Sequence, residues 1–245
     1  MSVVAIFGAT SGIAVSAARS WAARGDDFRL VARDGEKLNR VAADLRARGA
    51  STVITYTVDL GDPVGVEEAI DRVFADGPVD ITLIAFGTMP SQDAADVSAE
   101  VAFSLLHLNG ALNLLATHLV ALRLERQDRG RLAVIGSVAG DRGRKSNYLY
   151  GAAKAMVATG TAGLQLRMAR SGVAITLIKP GPTATPMTDH LRGRNRQLAA
   201  AEVVGADIVR GIDRAAPVVY TPRKWAVIMA VIKRLPRSIF EHTNL

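Results

Sequence analysis

The sequence predicts an α/β protein, a single Rossmann-like, doubly wound parallel sheet flanked by helices, and three observations carry that expectation. Short apolar runs bounded by turn residues alternate with longer segments of helical period, the pattern of successive βαβ units. A glycine-rich turn, "GATSGIA" at Gly8–Ala14, directly follows the first apolar run and opens a helical segment. With 245 residues and 49% hydrophobic content, the chain has the size for one such domain spanning residues 1–245.

Taken in order, strands are expected at Ser2–Phe7, Phe28–Ala32, Thr52–Thr57, Ile81–Ala85, Leu132–Gly136, Ala174–Ile178 and Val218–Tyr220. Most are runs of Val, Ile, Leu and Ala, as strands covered on both faces require. Between them lie helices such as "KLNRVAADLRARG", where Leu38, Val41, Ala42 and Leu45 form an apolar stripe and Gly49 ends the helix. Residues 186–214 read as a substrate-loop region, and residues 223–245 as an apolar and basic C-terminal segment. In that segment Trp225–Ile232 is apolar and Lys233, Arg234 and Arg237 are basic. The stretch is too short to span a bilayer, but it suits either a membrane surface or a subunit interface.

Composition narrows the chemistry. Without Cys there is no disulfide, thiolate nucleophile or Cys-bound metal. His107, His118, His190 and His242 are scattered without zinc-like spacing, so no metal site is expected. The opening "MSVVAIFGAT" reads as a buried strand rather than a signal peptide, and no run approaches about 18 consecutive apolar residues. A cytoplasmic protein is expected, peripheral to the inner membrane surface at most. A net charge of +7 is spread along the chain without a helix-turn-helix or aromatic-basic motif, which speaks against nucleic acid. It suits anionic lipid or a phosphorylated substrate better.

In the first βα turn, Gly8 permits the tight bend, Gly12 lets the backbone approach a pyrophosphate, and the following helix offers free N–H groups. Ala14 stands where a third glycine is common. The second strand ends in Ala32 and Arg33, so the position of a ribose-binding carboxylate is empty and a guanidinium suited to a 2′-phosphate follows. NADP(H) is therefore expected over NAD(H), with Asp34 placed to pair with Arg33. In "YGAAK", Tyr150 and Lys154 share one helix face, and the small residues 151–153 read as leaving room for cofactor and substrate. A neighbouring ammonium should lower a phenol from its usual value near ~10.

These stretches, with "VDL" at Val58–Leu60, "HLNG" at His107–Gly110, "IGSVAG" at Ile135–Gly140 and "KPGPTAT" at Lys179–Thr185, resemble the classical short-chain dehydrogenase/reductases over about the first 190 residues. That resemblance implies a catalytic tetrad of Asn109, Ser137, Tyr150 and Lys154. Tyr150 would give a proton to a ketone oxygen held by Ser137, and Asn109 would keep a relay water near the lysine. It implies a cofactor site of Gly8, Thr10, Ser11, Gly12, Ile13, Arg33, Asp59, Leu60, Phe86, Gly87, Tyr150, Lys154, Pro180, Gly181, Thr183 and Thr185. A homo-oligomer, dimer or tetramer, is the expected assembly. Two positions depart from the family pattern: "AFG" at Ala85–Gly87 replaces Asn-Ala-Gly, and Phe7 replaces Thr. The first departure should weaken a local backbone anchor.

"IAFG" at Ile84–Gly87, "GDRGRKSNYLYGAAK" at Gly140–Lys154 and "RLPRSIF" at Arg234–Phe240 are further similar to the keto-reductase subunits of decaprenylphosphoryl-ribose 2′-epimerases, which reduce a keto-pentose carried on a polyprenyl phosphate. That likeness implies a bulky or lipid-linked ketone, with Arg142, Arg144 and Lys145 ringing the mouth of the site to grip a phosphate. The same scaffold would also serve a broad-range reductase of bulky apolar ketones, or a non-catalytic NADP(H)-sensing protein.

Overall fold

The structure is a computed structural model that describes residues 1–191 and 198–243. Seven parallel strands form one sheet: β1 (Val3–Phe7), β2 (Asp27–Ala32), β3 (Val53–Thr57), β4 (Ile81–Ile84), β5 (Gly130–Ile135), β6 (Val173–Pro180) and β7 (Val218–Thr221). Their order is β3-β2-β1-β4-β5-β6-β7, and each lies where the sequence predicts a strand. The winding reverses between β1 and β4, in register from Val4↔Ile81 to Phe7↔Ile84. This reversal opens a crevice above the carboxyl ends of the strands.

The helices form two layers. On one face α1 (Gly12–Ala22), α2 (Gly35–Ala47) and α8 (Ala201–Asp213) enclose a core around Trp21, Leu30, Leu38 and Ile208. On the other, α3 (Pro63–Ala75), α6 (Asn113–Arg126) and α7 (Tyr148–Arg167) cover Phe7, Val134 and Ile175. Phe7 is fully buried there, so the departure from Thr fills the core. Arg29, inward on β2, donates to the carbonyls of Val73, Asp76 and Gly77 and closes the end of α3.

Two elements differ from expectation. Within the 186–214 region expected to be a substrate loop, residues 201–213 form α8, whose Val204, Ile208 and Ile212 are buried against the α1 side of the core. A side chain at Gly205 would strike the backbone of Ser16 and Ala17, so the helix docks face to face with α1 and cannot act as a loop. Among the described residues of this region only Pro186, Met187 and Thr188 reach the crevice, and residues 192–197 lie outside the described residues. Second, α4 (Gln92–Val97) leads into α5 (Ala99–Leu106), which joins α6 through a wide π-turn at His107–Leu112. The continuous run Ala99–Arg126 has 28 residues and contains an 18-residue stretch of mean hydropathy 1.4, long and apolar enough to span a membrane, yet half of that stretch is buried inside the fold.

The C-terminal segment forms α9 (Lys224–Arg234) and α10 (Arg237–Phe240). Met229 and Ile232 are buried against Val138, next to Ser137, with Trp225, Ile228 and Phe240 around them. Val227, Val231 and Ile239 face outward.

Candidate active site

A cavity of about 700 Å³ occupies the crevice. Sheet order places Ala32, Arg33 and Asp59, at the ends of β2 and β3, on one side, and Ser137 and Pro180, at the ends of β5 and β6, on the other. The β1–α1 turn, Gly8 to Ile13, lies between them. Gly8 holds a positive φ of 87°, and a Cβ there would sit 2.5 Å from the Phe86 backbone nitrogen. Only glycine brings the turn this close to β4.

The residues present fit a phosphate-rich cofactor. Ser11, at the N-cap of α1, makes no side-chain capping bond and the first turn carries no acid, so its N–H groups point to the cavity without an internal anion. Asp34 does not pair with Arg33 as the sequence suggested. It caps α2 at the Lys37 nitrogen and binds the Lys37 ammonium at 2.9 Å, which holds its carboxyl below the usual range. Arg33 stays exposed at the cavity wall. Asp59 orders its own turn by accepting from the Gly61 nitrogen at 3.1 Å. Leu60, Phe86, Gly87, Pro180, Gly181, Thr183 and Thr185 also line the cavity. At Gly181 the Trp225 indole fills the space a side chain would need, which ties this loop to α9.

Ser137, Tyr150 and Lys154 converge on the wall near β5. Ser137 follows β5, accepts from the Ala139 nitrogen at 3.1 Å, and lines the same wall as the Tyr150 phenol, which comes from the opposite element. Lys154, one turn beyond Tyr150 on α7, is 4% exposed and donates to the Ile135 carbonyl at 2.9 Å. Its ammonium lies 5.9 Å from the centre of the Tyr150 ring. The expected lowering of Tyr150 by Lys154 is reversed. Desolvation pushes the phenol up to about 12, against the smaller, lowering effect of the nearby Ser137 hydroxyl, and burial pulls Lys154 down to about 8. In this form Tyr150 is a protonated donor at neutral pH.

Asn109 sits inside the π-turn at 1% exposure. Both ends of its amide are engaged: Nδ2 donates to the Leu105 carbonyl at 3.0 Å and Oδ1 accepts from the Thr88 nitrogen at 2.9 Å. The sequence reading missed Asn113. It is one turn further on and fully buried, and its Nδ2 donates to the Phe86 carbonyl at 2.9 Å. Together these two amides anchor the Phe86–Thr88 loop, so the loss of Asn at Ala85 leaves it secured from α6; the i, i+4 spacing of the two asparagines was the available signal. The small residues 151–153 also serve otherwise than expected. A side chain at Gly151 would meet the Ala139 carbonyl, and Ala153 packs against Gly110. Gly151 and Ala153 admit neighbouring backbone, not cofactor, and Ala152 is exposed.

Of the three basic residues expected at the mouth, Arg144 lines the cavity and Arg142 and Lys145 do not. The Arg142 guanidinium donates to the carbonyls of Ile232 and Leu235 and lies 3.9 Å from the centre of the Phe240 ring. The ends of helix carbonyl ladders attract cations, and this one has drawn Arg142 away from the mouth. Lys145 is exposed. The wall beyond Tyr150 is otherwise formed by Met89, Phe103, His107, Val138 and Met187, with Asn147 beside Arg144.

The family model described as short chain dehydrogenase matches residues 2–196. An uncharacterized oxidoreductase from the mprA 5′ region of Streptomyces coelicolor is 32% identical over 238 residues, covering 96% of this chain and 93% of that protein. An uncharacterized oxidoreductase of Mycobacterium tuberculosis is 32% identical over 239 residues, covering 97% and 95%. Among solved structures, a short-chain dehydrogenase from Sphingobium yanoikuyae in complex with NADPH superposes with a TM-score of 0.84 at 26% identity, covering 97% of this chain and 98% of that one. Sheet order, motif positions and relatives agree, and the chain belongs to the short-chain dehydrogenase family.

Proposed function

We propose that the protein is an NADPH-dependent ketone reductase acting on a bulky ketone, with a polyprenyl-phosphate-linked keto-sugar as the substrate it fits best. The observation that carries the reading is the convergence of Ser137, Tyr150 and Lys154 on the wall of a cavity that extends to Arg33. NADPH, when bound, supplies hydride to the carbonyl carbon. Ser137 holds the carbonyl oxygen, and Tyr150, a protonated phenol at neutral pH, delivers the proton to that oxygen. Lys154 stands one turn away to recharge the phenol, its lowered affinity for protons suiting it to exchange near neutral pH. Arg33 and the uncapped turn of α1 are the groups for the 2′-phosphate and pyrophosphate. The Sphingobium relative, which holds NADPH, supports this choice of cofactor.

Size and polarity support the substrate class. Beyond Tyr150 the apolar Met89, Phe103 and Met187 meet, among the described residues, one guanidinium, that of Arg144, a wall suited to an apolar body bearing an anionic or hydroxyl-rich group. The same apolar wall would serve a broad range of bulky neutral ketones. The outward Val227, Val231 and Ile239 among Lys224, Lys233, Arg234 and Arg237 suit a cytoplasmic protein that touches an anionic membrane surface. The same face would otherwise join copies of the chain into a homo-oligomer.

Turnover of NADPH is measured with a polyprenyl-phosphoryl keto-pentose and with neutral bulky ketones. Tyr150→Phe should lower kcat by at least ~100-fold and leave the NADPH Kd within about twofold, since only the proton donor is lost. Arg144→Ser should raise KM for the phosphorylated substrate alone. Tight NADPH binding without turnover of any ketone would mean a sensing protein, and retention of more than about a tenth of kcat by Tyr150→Phe would remove its acid role. Deletion of residues 225–245 should abolish sedimentation with anionic liposomes, and a collapsed oligomer with unchanged sedimentation would refute the membrane contact.

A further inference from the structure

Four residues beyond Ser137, the short 3₁₀ turn Val138–Asp141 ends on a carboxylate whose side chain is only 3% exposed. Both oxygens are occupied. Oδ1 accepts from the Lys179 ammonium at 2.5 Å, a side chain itself 12% exposed, and Oδ2 accepts from the Tyr220 hydroxyl at 2.7 Å. Lys179 and Tyr220 are register partners on β6 and β7, and the ammonium lies 5.5 Å from the centre of the Tyr220 ring. Burial, and then the Asp141 carboxylate, hold the Tyr220 phenol well above its ordinary range, so it stays a donor.

The three residues stand at junctions. Asp141 closes the turn that begins at Ser137. Lys179 directly precedes Pro180 and Gly181, which line the cavity. Tyr220 directly precedes Thr221, whose carbonyl accepts from the Gly181 nitrogen at 2.9 Å. Val138, Met229 and Ile232, with Tyr220 and Trp225, form an apolar cluster beside the group. An ion pair enclosed in this way has one good arrangement, because displacing any member leaves a charge or a donor without its partner in a dry setting.

We propose that Asp141 is a positioning residue. Through Lys179 and Tyr220 it fixes the Ser137 turn relative to the Pro180–Thr185 loop, and so the place of the carbonyl oxygen relative to the nicotinamide. The proposal rests on the reductase reading for its catalytic consequence, and on the side-chain geometry alone for its mechanical one. Ser137 reaches the substrate, whereas Asp141 acts only through its partners.

The test uses the full chain carrying Asp141→Asn, Lys179→Met, or both, with two readouts. In the cofactor-free protein, hydrogen exchange should quicken at least ~tenfold at the Gly140 and Gly181 amides, which lie on opposite sides of the link. The Ala85 amide, bonded to the Phe7 carbonyl, should not change. With a ketone, kcat of Asp141→Asn should fall ~10- to 100-fold, the effect of a displacement of about an ångström at a reacting centre. The isotope effect from NADPH deuterated at the transferred position should rise, and NADPH Kd should stay within about threefold because the Gly8–Ile13 turn and Arg33 are untouched. The double variant should be no slower than the slower single one, since the residues act as a unit. Should Asp141→Asn fail to fold, Tyr220→Phe removes one hydrogen bond and keeps the ion pair. Its kcat should fall about three- to tenfold, with faster exchange at the same amides. A kcat within twofold of wild type in a folded variant, or quickened exchange confined to one side of the link, would overturn the proposal. Absence of turnover of any ketone by the wild type would remove the reductase reading instead, and the exchange result would stand unaffected.

Discussion

Replacing Arg142 with Ala should release the C-terminal segment from the active-site turn. The side chain makes three contacts: hydrogen bonds to the Ile232 and Leu235 carbonyls and a cation–π contact 3.9 Å above Phe240. A hydrogen bond from a charged group contributes about 1.5–3 kcal/mol, and a partly shielded cation–π contact about 0.5–2 kcal/mol. The carbonyls close a helix at the molecular surface and can be rehydrated once the guanidinium is gone, so the full sum is not lost. A loss of about 2–4 kcal/mol remains, or a ~30- to 1000-fold rise in the open population of α9–α10. Trypsin reads this directly, because Arg234 and Arg237 lie in the segment and are exposed. Under conditions where reclosing is faster than cleavage, the rate of cutting at these sites should rise in proportion. Val231→Ala trims a side chain that is 56% exposed on the same helix and serves as the control, with no change expected. Cleavage of Arg142→Ala within about threefold of wild type would show that the apolar contacts of Met229 and Ile232 hold the segment without it. The reasoning from the guanidinium would then be wrong.

Cofactor choice should follow the end of β2. Ala32→Asp with Arg33→Ser should move the ratio of kcat/KM values from NADPH toward NADH by roughly tenfold to a hundredfold, from one charged contact of about 1.5–3 kcal/mol, and equal use of both cofactors by the wild type would refute it. Burial should also make Lys154 a pH-dependent burden on the cofactor-free fold. Its affinity for protons is lowered from 10.5 to about 8, so the unfolded chain binds the extra proton between those values and stability rises with pH across that window. Below pH 8 the ammonium costs on the order of 3 kcal/mol, by about 1.4 kcal/mol for each unit. Lys154→Met should therefore be more stable than wild type at pH 7, the advantage shrinking as the pH approaches 10 in thermal melts. An advantage that is constant with pH would mean the ammonium is not desolvated.

The order of elements, the switch in winding and the place of the crevice were all legible in the sequence, because they follow from rules that act between neighbours. A strand buried on both faces must be a run of branched apolar residues, and Gly8 is needed where β1 turns into α1. Tyr150 and Lys154 could be placed on one face because four helical residues make about one turn. What the sequence could not supply was the company each side chain keeps. Desolvation by distant elements outweighs the Ser137 hydroxyl and raises Tyr150 instead of lowering it. Arg142, which reads as one of three basic residues at a mouth, faces carbonyls some 90 residues away, at Ile232 and Leu235. Asn113 secures Phe86 across 27 positions, and Asp141 meets Lys179 and Tyr220 across 38 and 79. Secondary structure is written in short-range patterns of apolar and turn residues. The partner and the dielectric of a polar group are fixed only when the sheet brings remote segments together, and at this site those two quantities decide the chemistry.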